Sequence, residues 1–425
     1  MMKRISVDYS APSGAIKPMH AVNNGPIRAG SVQCRQNFPE WVEAGIPYAR
    51  THDSTLYHGY GGENTVDIDA VFPNFDADET DPASYDFPVT DKYLTTINDA
   101  GTEVFYRLGS TIEHWEKKYR VHPPKDFAKW ARICEHIIRH YTEGWADGFH
   151  YKITYWEIWN EPDGYPACWT GTKEQFFDFF EIAARHLKAC FPHLKIGGPA
   201  MSTPRAWTED FLAEMQRRQL PLDFFSWHRY CQQPEDMDRS QKVREMLDSY
   251  GFTETESICN EWNYVESWTE NFIHSIEFIH SHRGAAFTAA CMIRAQNNPI
   301  DMLMYYDAQP GVWNGLFNYY TLRPEKTYYA FLFFNRLYRL GKALPTACGD
   351  EGLYALAATD GAGTFGMMLA HHGAPGGEVL PELPAGSRFA IRLLDESHNG
   401  EAVGEISAGE SLFVPEASVI YLEML

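Results

Sequence analysis

Apolar positions along this 425-residue chain follow two rhythms. From about residue 18 to 340, short continuous apolar runs alternate with stretches whose apolar positions recur every three to four residues. The first kind reads as buried strands and the second as amphipathic helices. Strands are predicted at 20–26, 46–53, 102–108, 153–159, 194–199, 223–228, 257–261 and 302–306. Helices are predicted at 38–44, 126–141, 173–190, 208–219, 271–290 and 328–340. The helix over 126–141 carries Phe127, Trp130, Ala131, Cys134, Ile137, Ile138 and Tyr141 at helical spacing. Pro192 follows the helix over 173–190, and Gly341 stops the last one. A long polar stretch rich in Gly, Asp and Pro runs from strand two to about Asp91, and so long a connection is usually functional or disordered. It is expected to hang over one end of the barrel.

Eight strands with intervening helices predict an α/β fold, a (β/α)8 TIM barrel over residues 18–344. Past Pro345 the texture changes to short β-rich runs at 353–358, 364–370, 388–394 and 418–422, separated by Gly, Pro and Asn. These predict a small C-terminal β-sandwich-like domain over 345–425, joined by residues 1–17 through a strand near 5–9. The sequence carries no internal repeat and no low-complexity tract.

Charge narrows the function. The 57 acidic residues outnumber 36 basic ones, giving a net charge of −21, and no Lys/Arg block stands out. A nucleic-acid partner would need a basic footprint. No apolar run reaches 18 residues, so no membrane span is expected. The N-terminus lacks a signal-peptide pattern. The eight cysteines are scattered without a CxxC pair and read as free thiols of a reducing compartment. A cytoplasmic location follows as an expectation. Aromatics make up 15% of the chain; most pack in cores, but such faces also stack on sugar rings.

The chemistry gathers at strand tips. Tyr155-Trp156-Glu157-Ile158-Trp159-Asn160-Glu161-Pro162 is an apolar run ending in an Asn-Glu pair and a proline. The pair would stand at the C-terminal end of strand four, where active sites of such barrels lie. Strand seven ends similarly, in Ser257-Ile258-Cys259-Asn260-Glu261-Trp262. Two carboxyl groups facing one sugar are what glycoside hydrolysis needs, one to donate a proton and one to act as nucleophile or base. Asn160 is placed to bond a sugar 2-hydroxyl. His228 and Tyr230, two residues apart after strand six, would point to one side and reach Glu261. Hydrogen bonds to its charged form would lower its pKa. His52 would bind sugar hydroxyls, with Arg50 beneath it holding carboxylates. Glu157, lower on strand four, reads as a buried, paired structural carboxylate.

Other groups are weaker. Asn-Glu-Pro alone would suit a helix start in any protein; the weight lies in its conjunction with His228-x-Tyr230 and Asn260-Glu261-Trp262. His280-Ser281-His282, His371-His372, and the acidic pairs Asp67/Asp69 and Asp76/Asp78 lack metal-site spacing, so neither a metal nor a cofactor is expected. Cys259 reads as a packed strand thiol.

These residues resemble glycoside hydrolase family 39 of clan A, which includes β-xylosidases and α-L-iduronidases. The likeness rests on Trp156–Pro162, Asn23-Asn24-Gly25-Pro26, Arg50-Thr51-His52, Glu261-Trp262-Asn263 and the closing helix Tyr328–Leu337, and spans about residues 18–340. It implies Glu161 as acid/base, Glu261 as nucleophile, sugar or nucleophile contacts from Asn160, His52, His228 and Tyr230, and retention of configuration. Family xylosidases place a tryptophan on strand eight as a sugar platform. This chain has Met304-Tyr305-Tyr306-Asp307, so Tyr306 or Trp313 is expected to serve. The implied function is a retaining exo-glycosidase, first a β-xylosidase on plant-type oligosaccharides. α-L-Arabinosidase, α-L-iduronidase or β-galactosidase activity, a non-catalytic sugar-binding barrel and a metal-dependent hydrolase are the alternatives. Arg107 and Arg229 are the cations that a uronide would need. A glycoside is the expected partner, and homo-oligomerisation is left open.

Overall fold

The structure, a computed structural model, describes residues 3–30, 35–55, 64–203 and 206–425. Eight parallel strands close into a barrel: Ala21–Asn23, Tyr48–Thr51, Glu103–Leu108, Tyr155–Ile158, Lys195–Met201, Phe224–Cys231, Glu256–Tyr264 and Met302–Tyr305, the last pairing with the first. They are numbered one to eight below. Helices surround the barrel, as the alternating rhythm predicts, giving the expected (β/α)8 fold.

The barrel interior changes character in two-residue steps. At one level Ala21, Phe105, Tyr155, Phe224, Ile258, Met302 and Met304 form an apolar plug, with Tyr48 packed against it. Two residues further along strands one, two, three, four, six and seven stand Asn23, Arg50, Arg107, Glu157, Ser226 and Asn260, all buried. Because side chains alternate, the +2 position stays inside while moving toward the strand's C-terminal end. The apolar plug excludes water below, so each polar group above it must find a protein partner.

Two predicted elements need correction, and two further helices carry no prediction. The helix expected over 271–290 is two helices, Phe272–Ile279 and His282–Gln296. Ser281 between them is extended (φ −97°, ψ 167°), and its hydroxyl caps the second by accepting from the Gly284 N–H. The stretch from strand two to Asp91 is not one loop. It holds a short helix at Ile68–Val71 and a 3-10 turn at Pro82–Ser84; residues 56–63 lie outside the described residues. A full helix, Pro88–Asp99, then precedes strand three, burying Thr90, Tyr93, Leu94 and Ile97 at helical spacing. Arg239–Ser249, between strands six and seven, is also a helix; it escapes a periodicity reading because only Ser240, Val243 and Leu247 of its eleven residues are buried.

Beside the barrel lie two sheets. A seven-stranded sheet runs Asn399–Ser407, Arg388–Leu394, Ser418–Met424, Phe365–His371, Leu353–Thr359, Lys342–Leu344 and Gly14–Ala15. A four-stranded sheet runs Thr346–Cys348, Lys3–Val7, Gly377–Pro381 and Leu412–Val414. N-terminal residues thus contribute a strand to each. The central strands of the larger sheet are buried on both faces. Leu356, Ala358, Met368, Ala370, Val419 and Tyr421 join the core of the barrel's helices. Their alternate neighbours Ala355, Ala357, Met367, Leu369, Ile420 and Leu422 pack with Ile5 and Val7 in a second core. Two-sided burial explains why these strands read as continuous apolar runs.

Ile5 is 1% exposed and lies between Cys348 and Pro381 on its neighbouring strands. Ile5→Ala should therefore cost about 2–5 kcal/mol in urea unfolding. A loss below about 0.5 kcal/mol, the surface-substitution range, would mean the N-terminal strand does not seal this core.

Candidate active site

Both conspicuous glutamates stand at the polar end of the barrel, and backbone irregularities aim each of them. On strand seven Asn260 points inward and donates to Glu157 (Nδ2 to Oε1, 2.5 Å). Regular alternation would send Glu261 outward. The pairing with strand six shifts at this point, from Trp227 opposite Cys259 to His228 opposite Glu261. Such a bulge returns Glu261 to the interior. On strand four, Trp159 (φ 73°) and Glu161 (φ 45°) adopt left-handed backbone conformations that non-glycine residues rarely take. Asn160 and Glu161, adjacent in sequence, are thereby both brought to the site. The Glu161 N–H donates to the Ala200 carbonyl (3.0 Å), tying the turn to strand five.

Beneath them lies Arg50, wholly buried. Its Nε donates to Glu157 (2.7 Å), Nη1 to Asn23 (3.0 Å) and Glu261 (3.4 Å), and Nη2 to Asn160 (2.6 Å). Glu157 also accepts from the Ser226 hydroxyl (2.5 Å). It is the buried, paired carboxylate that its low position on strand four predicts.

The upper layer differs at the two glutamates. Glu261 accepts from the Tyr230 hydroxyl (2.6 Å), and its other oxygen is 3.4 Å from Arg50, 3.5 Å from His52 Nε2 and 3.4 Å from His228 Nε2. Glu161 has fewer partners: His228 Nδ1 at 2.7 Å and the Cys168 thiol at 3.7 Å. Burial pushes the Glu161 pKa up, and His52, Cys168 and Arg50 only partly offset this. Burial also lowers His228 to about 4, so its ring is neutral near pH 7. Asn160 gives its carbonyl oxygen to Arg50, while its buried Nδ2 has no partner and is free to donate.

One carboxylate oxygen from each glutamate and a His228 nitrogen lie within 4.8 Å of one another. They open on a cleft of about 680 Å³ whose walls include Tyr230, Tyr306 and Trp313. All eight residues singled out from sequence thus gather here: Glu161, His228, Glu261, Tyr230, Tyr306 and Trp313 line the cleft, and His52 and Asn160 border Glu261 and Arg50. Sequence reasoning passed over His114, Ser202, Thr203 and Trp268, which share the wall. They sit on the loops after strands three, five and seven, where no periodic signal marks them. It also missed Asp53, which accepts from Asn24 (3.1 Å) and the Tyr306 hydroxyl (3.0 Å).

The remaining candidates resolve otherwise. Arg107 is buried against Asp67 (3.0 Å), below the cleft, and Arg229 pairs with Asp236 (2.5 Å) while lining it. Asp67 and Asp69 are held by Arg120. His280 pairs with Glu325 (2.5 Å), and His371 faces Lys3 (3.2 Å). Cys259 is wholly buried, and burial holds its thiol well above the ordinary range. Among the described residues two groups bring three ligand-type atoms within 4.8 Å: the Glu161–His228–Glu261 set, and Glu135, His186 and Cys190 on two outer helices. No helix is long and apolar enough to cross a membrane among the described residues.

A parallel barrel carrying two opposed glutamates at its strand tips, over a sugar-sized cleft, is the architecture of a glycoside hydrolase. The model of glycosyl hydrolases family 39 matches residues 64–307, and the chain belongs to that family. A β-xylosidase of Geobacillus stearothermophilus is 26% identical over 360 residues, covering 73% of this chain and 67% of that protein. A β-xylosidase of Caldicellulosiruptor saccharolyticus is 25% identical over 242 residues, 53% of this chain and 46% of its own length. Among solved structures, a glucosidase from Croceicoccus marinus superposes with a TM-score of 0.82 at 24% identity, over 100% of this chain and 99% of its own. A family 39 β-xylosidase from Caulobacter crescentus superposes at 0.73 and 17% identity, over 99% of both chains.

The raised Glu161 pKa has a thermodynamic consequence. The folded protein holds this proton more tightly than the unfolded chain does. The stability it contributes is therefore full below the ordinary carboxylate pKa and is lost as pH rises through the folded value. Glu161→Gln cannot ionise, so its stability relative to the parent should increase between pH 4 and pH 8. Urea midpoints at both pH values measure this, and a pH-independent gap would rule out burial as the dominant influence.

Proposed function

We propose that the chain is a retaining β-xylosidase that trims oligosaccharides from the non-reducing end, with Glu161 as acid/base and Glu261 as nucleophile. The observation that carries this reading is the approach of the two carboxylates to within 4.8 Å. Retaining enzymes hold the pair about 5–5.5 Å apart, whereas inverting ones leave about 6.5–9.5 Å for a water. Their unequal surroundings divide the labour. Glu261 accepts from Tyr230 and Arg50, with His52 Nε2 at 3.5 Å and His228 Nε2 at 3.4 Å. Glu161, buried with few partners, keeps its proton to a higher pH.

In the first step Glu161 would protonate the glycosidic oxygen while Glu261 attacks the anomeric carbon, forming a glycosyl ester. In the second, Glu161, now a carboxylate, would take a proton from water as the water displaces Glu261. The free Asn160 Nδ2 is available to the sugar 2-hydroxyl. His228 lies between the carboxylates: its Nδ1, 2.7 Å from Glu161, can accept from the protonated acid, and its Nε2 stands 3.4 Å from Glu261. Tyr306 and Trp313, with ring centroids 6.2 Å apart, supply the aromatic wall. The choice of xylose rests on the names of the two relatives. The choice of chemistry rests on the site.

Hydrolysis of aryl β-xyloside, α-L-arabinoside, β-galactoside, β-glucoside and α-L-iduronide tests the substrate. Release should be fastest from β-xyloside and unaffected by a chelator. A different preferred sugar would replace xylose, and loss of activity to the chelator would favour a metal at Glu161, His228 and Glu261. Glu261→Gly should lose nearly all turnover, and azide should restore part of it with inverted product; substantial residual activity without rescue would remove Glu261 from its role. Glu161→Gln should slow substrates with poor leaving groups at least about a hundredfold, within the range for general acid catalysis, and activated aryl glycosides far less. Equal losses on both would exclude Glu161 as the acid.

A further inference from the structure

The cleft continues beyond the nucleophile. A second chamber of about 790 Å³ adjoins the first and shares Ile112, His114, Tyr306 and Trp313 with it. Neither glutamate lines this chamber; Asp53 and Asp307 do. A pocket of about 300–1,000 Å³ accommodates a drug-sized ligand, so the second chamber has room well beyond one pentose.

Its rim is built. Between strand three and the helix Phe127–Thr142, the buried Glu113 carboxylate accepts from the N–H groups of Tyr119 (2.9 Å), Arg120 (2.8 Å) and Val121 (3.2 Å). The Lys118 ammonium donates to the carbonyls of Glu113 (2.6 Å) and Trp115. Arg120 anchors the loop to Asp67 and Asp69. A loop so tied nevertheless presents Trp115 at 71% exposure and Tyr119 at 62%, with Val312 at 58% also lining the chamber. Large apolar side chains concentrated at one concave surface mark a binding site. Flat aromatic faces above carboxylate acceptors suit a polyhydroxylated ring.

Direction follows from the carboxylates. Glu161 shares its cleft wall with Ser202 and Thr203, on the loop after strand five. The second chamber is walled instead by residues that follow strands two, three and eight, and Glu261 reaches it through His52 (3.5 Å) and Asp53 (3.0 Å). With the leaving group beside the acid, the sugar under attack lies toward His52, and what is attached to its far end enters the second chamber.

We propose that this chamber is a subsite for a second neutral sugar on the glycone side, with Trp115 and Tyr119 as its stacking platform. The chain would then accept glycosides whose glycone is a disaccharide and release that disaccharide intact. The inference rests on the reading that Glu161 and Glu261 perform the chemistry.

The test compares 4-nitrophenyl β-xyloside, β-xylobioside, β-glucoside and β-cellobioside on the parent and on Trp115→Ala. For the sugar accepted, the disaccharide glycoside should yield intact disaccharide as first product. Trp115→Ala should lower kcat/KM for the disaccharide glycoside about tenfold more than for the monosaccharide one, as the loss of one stacking contact predicts. Cleavage of the monosaccharide glycoside alone, stepwise loss of single sugars, or equal effects of the substitution would overturn the subsite and leave the proposed chemistry standing. Cleavage of none of the four would count against the β-xylosidase reading itself. Fluorescence titration of Glu161→Gln with xylotriose and cellotriose then decides the subsite alone. Quenching that Trp115→Ala abolishes supports it, and no response overturns it.

Discussion

One guanidinium group organises the catalytic end of this barrel. Arg50, without access to water, meets Asn23 on strand one, Glu157 on strand four, Asn160 just beyond it and Glu261 on strand seven. A buried ion pair gains little over apolar packing, because desolvating both charges costs nearly what their attraction returns. Its value here is geometric. The planar fork fixes where acceptors can stand, which a lysine's single ammonium would not do. Any drift of strand two relative to strands four and seven would break several charge-assisted bonds at once. The two catalytic candidates are therefore referenced to a common, rigid group and not to their own strands alone.

Above that layer the site gives one residue type two different surroundings. Burial makes the Glu161 carboxyl reluctant to ionise. The protein surrounds Glu261 with Tyr230, Arg50, His52 and His228, and leaves Glu161 with His228 and a weak thiol donor. A parallel split occurs next door. Burial would raise Asp53, yet His52, Asn24 and Tyr306 outweigh it and hold it low, while burial and the Asp53 charge push Asp307 well above the usual range. Holding Asp53 low and Asp307 high limits the repulsion that two ionised carboxylates would create there.

How much of this could be read from the chain depends on whether a local pattern encodes it. The barrel was legible because buried strands and amphipathic helices alternate, and Asn160-Glu161-Pro162 was legible because polar groups abruptly end an apolar run. The helix Arg239–Ser249 was not, since a mostly solvated helix leaves no stripe. The break at Ser281 falls in the polar run His280-Ser281-His282-Arg283, which one long helix could equally carry on its solvated face; a serine hydroxyl serves as well within a helix as at its cap. Tyr230 was found from its spacing to His228. Asp53 and Trp268 were missed because their places in the cleft are set by contacts with Tyr306 and Tyr230, distant in sequence. The bulge that turns Glu261 inward has no sequence signature of its own and becomes visible only in the pairing of strands six and seven.

The strand Lys3–Val7 pairs with Thr346–Cys348 on one side and Gly377–Pro381 on the other, while Gly14–Ala15 pairs with Lys342–Leu344. A chain leaves the ribosome from its N-terminus at about 5–20 residues per second. A segment such as Lys3–Val7 must therefore wait on the order of twenty to seventy seconds before its distant partners exist. During that interval Ile5 and Val7 have no core to enter, and the helices His282–Gln296 and Lys326–Leu340 have no sheet to cover them. The barrel's own strands pair with near neighbours and can close earlier. Forming these pairs is thus a clasp, in which a strand made early is locked between two made much later.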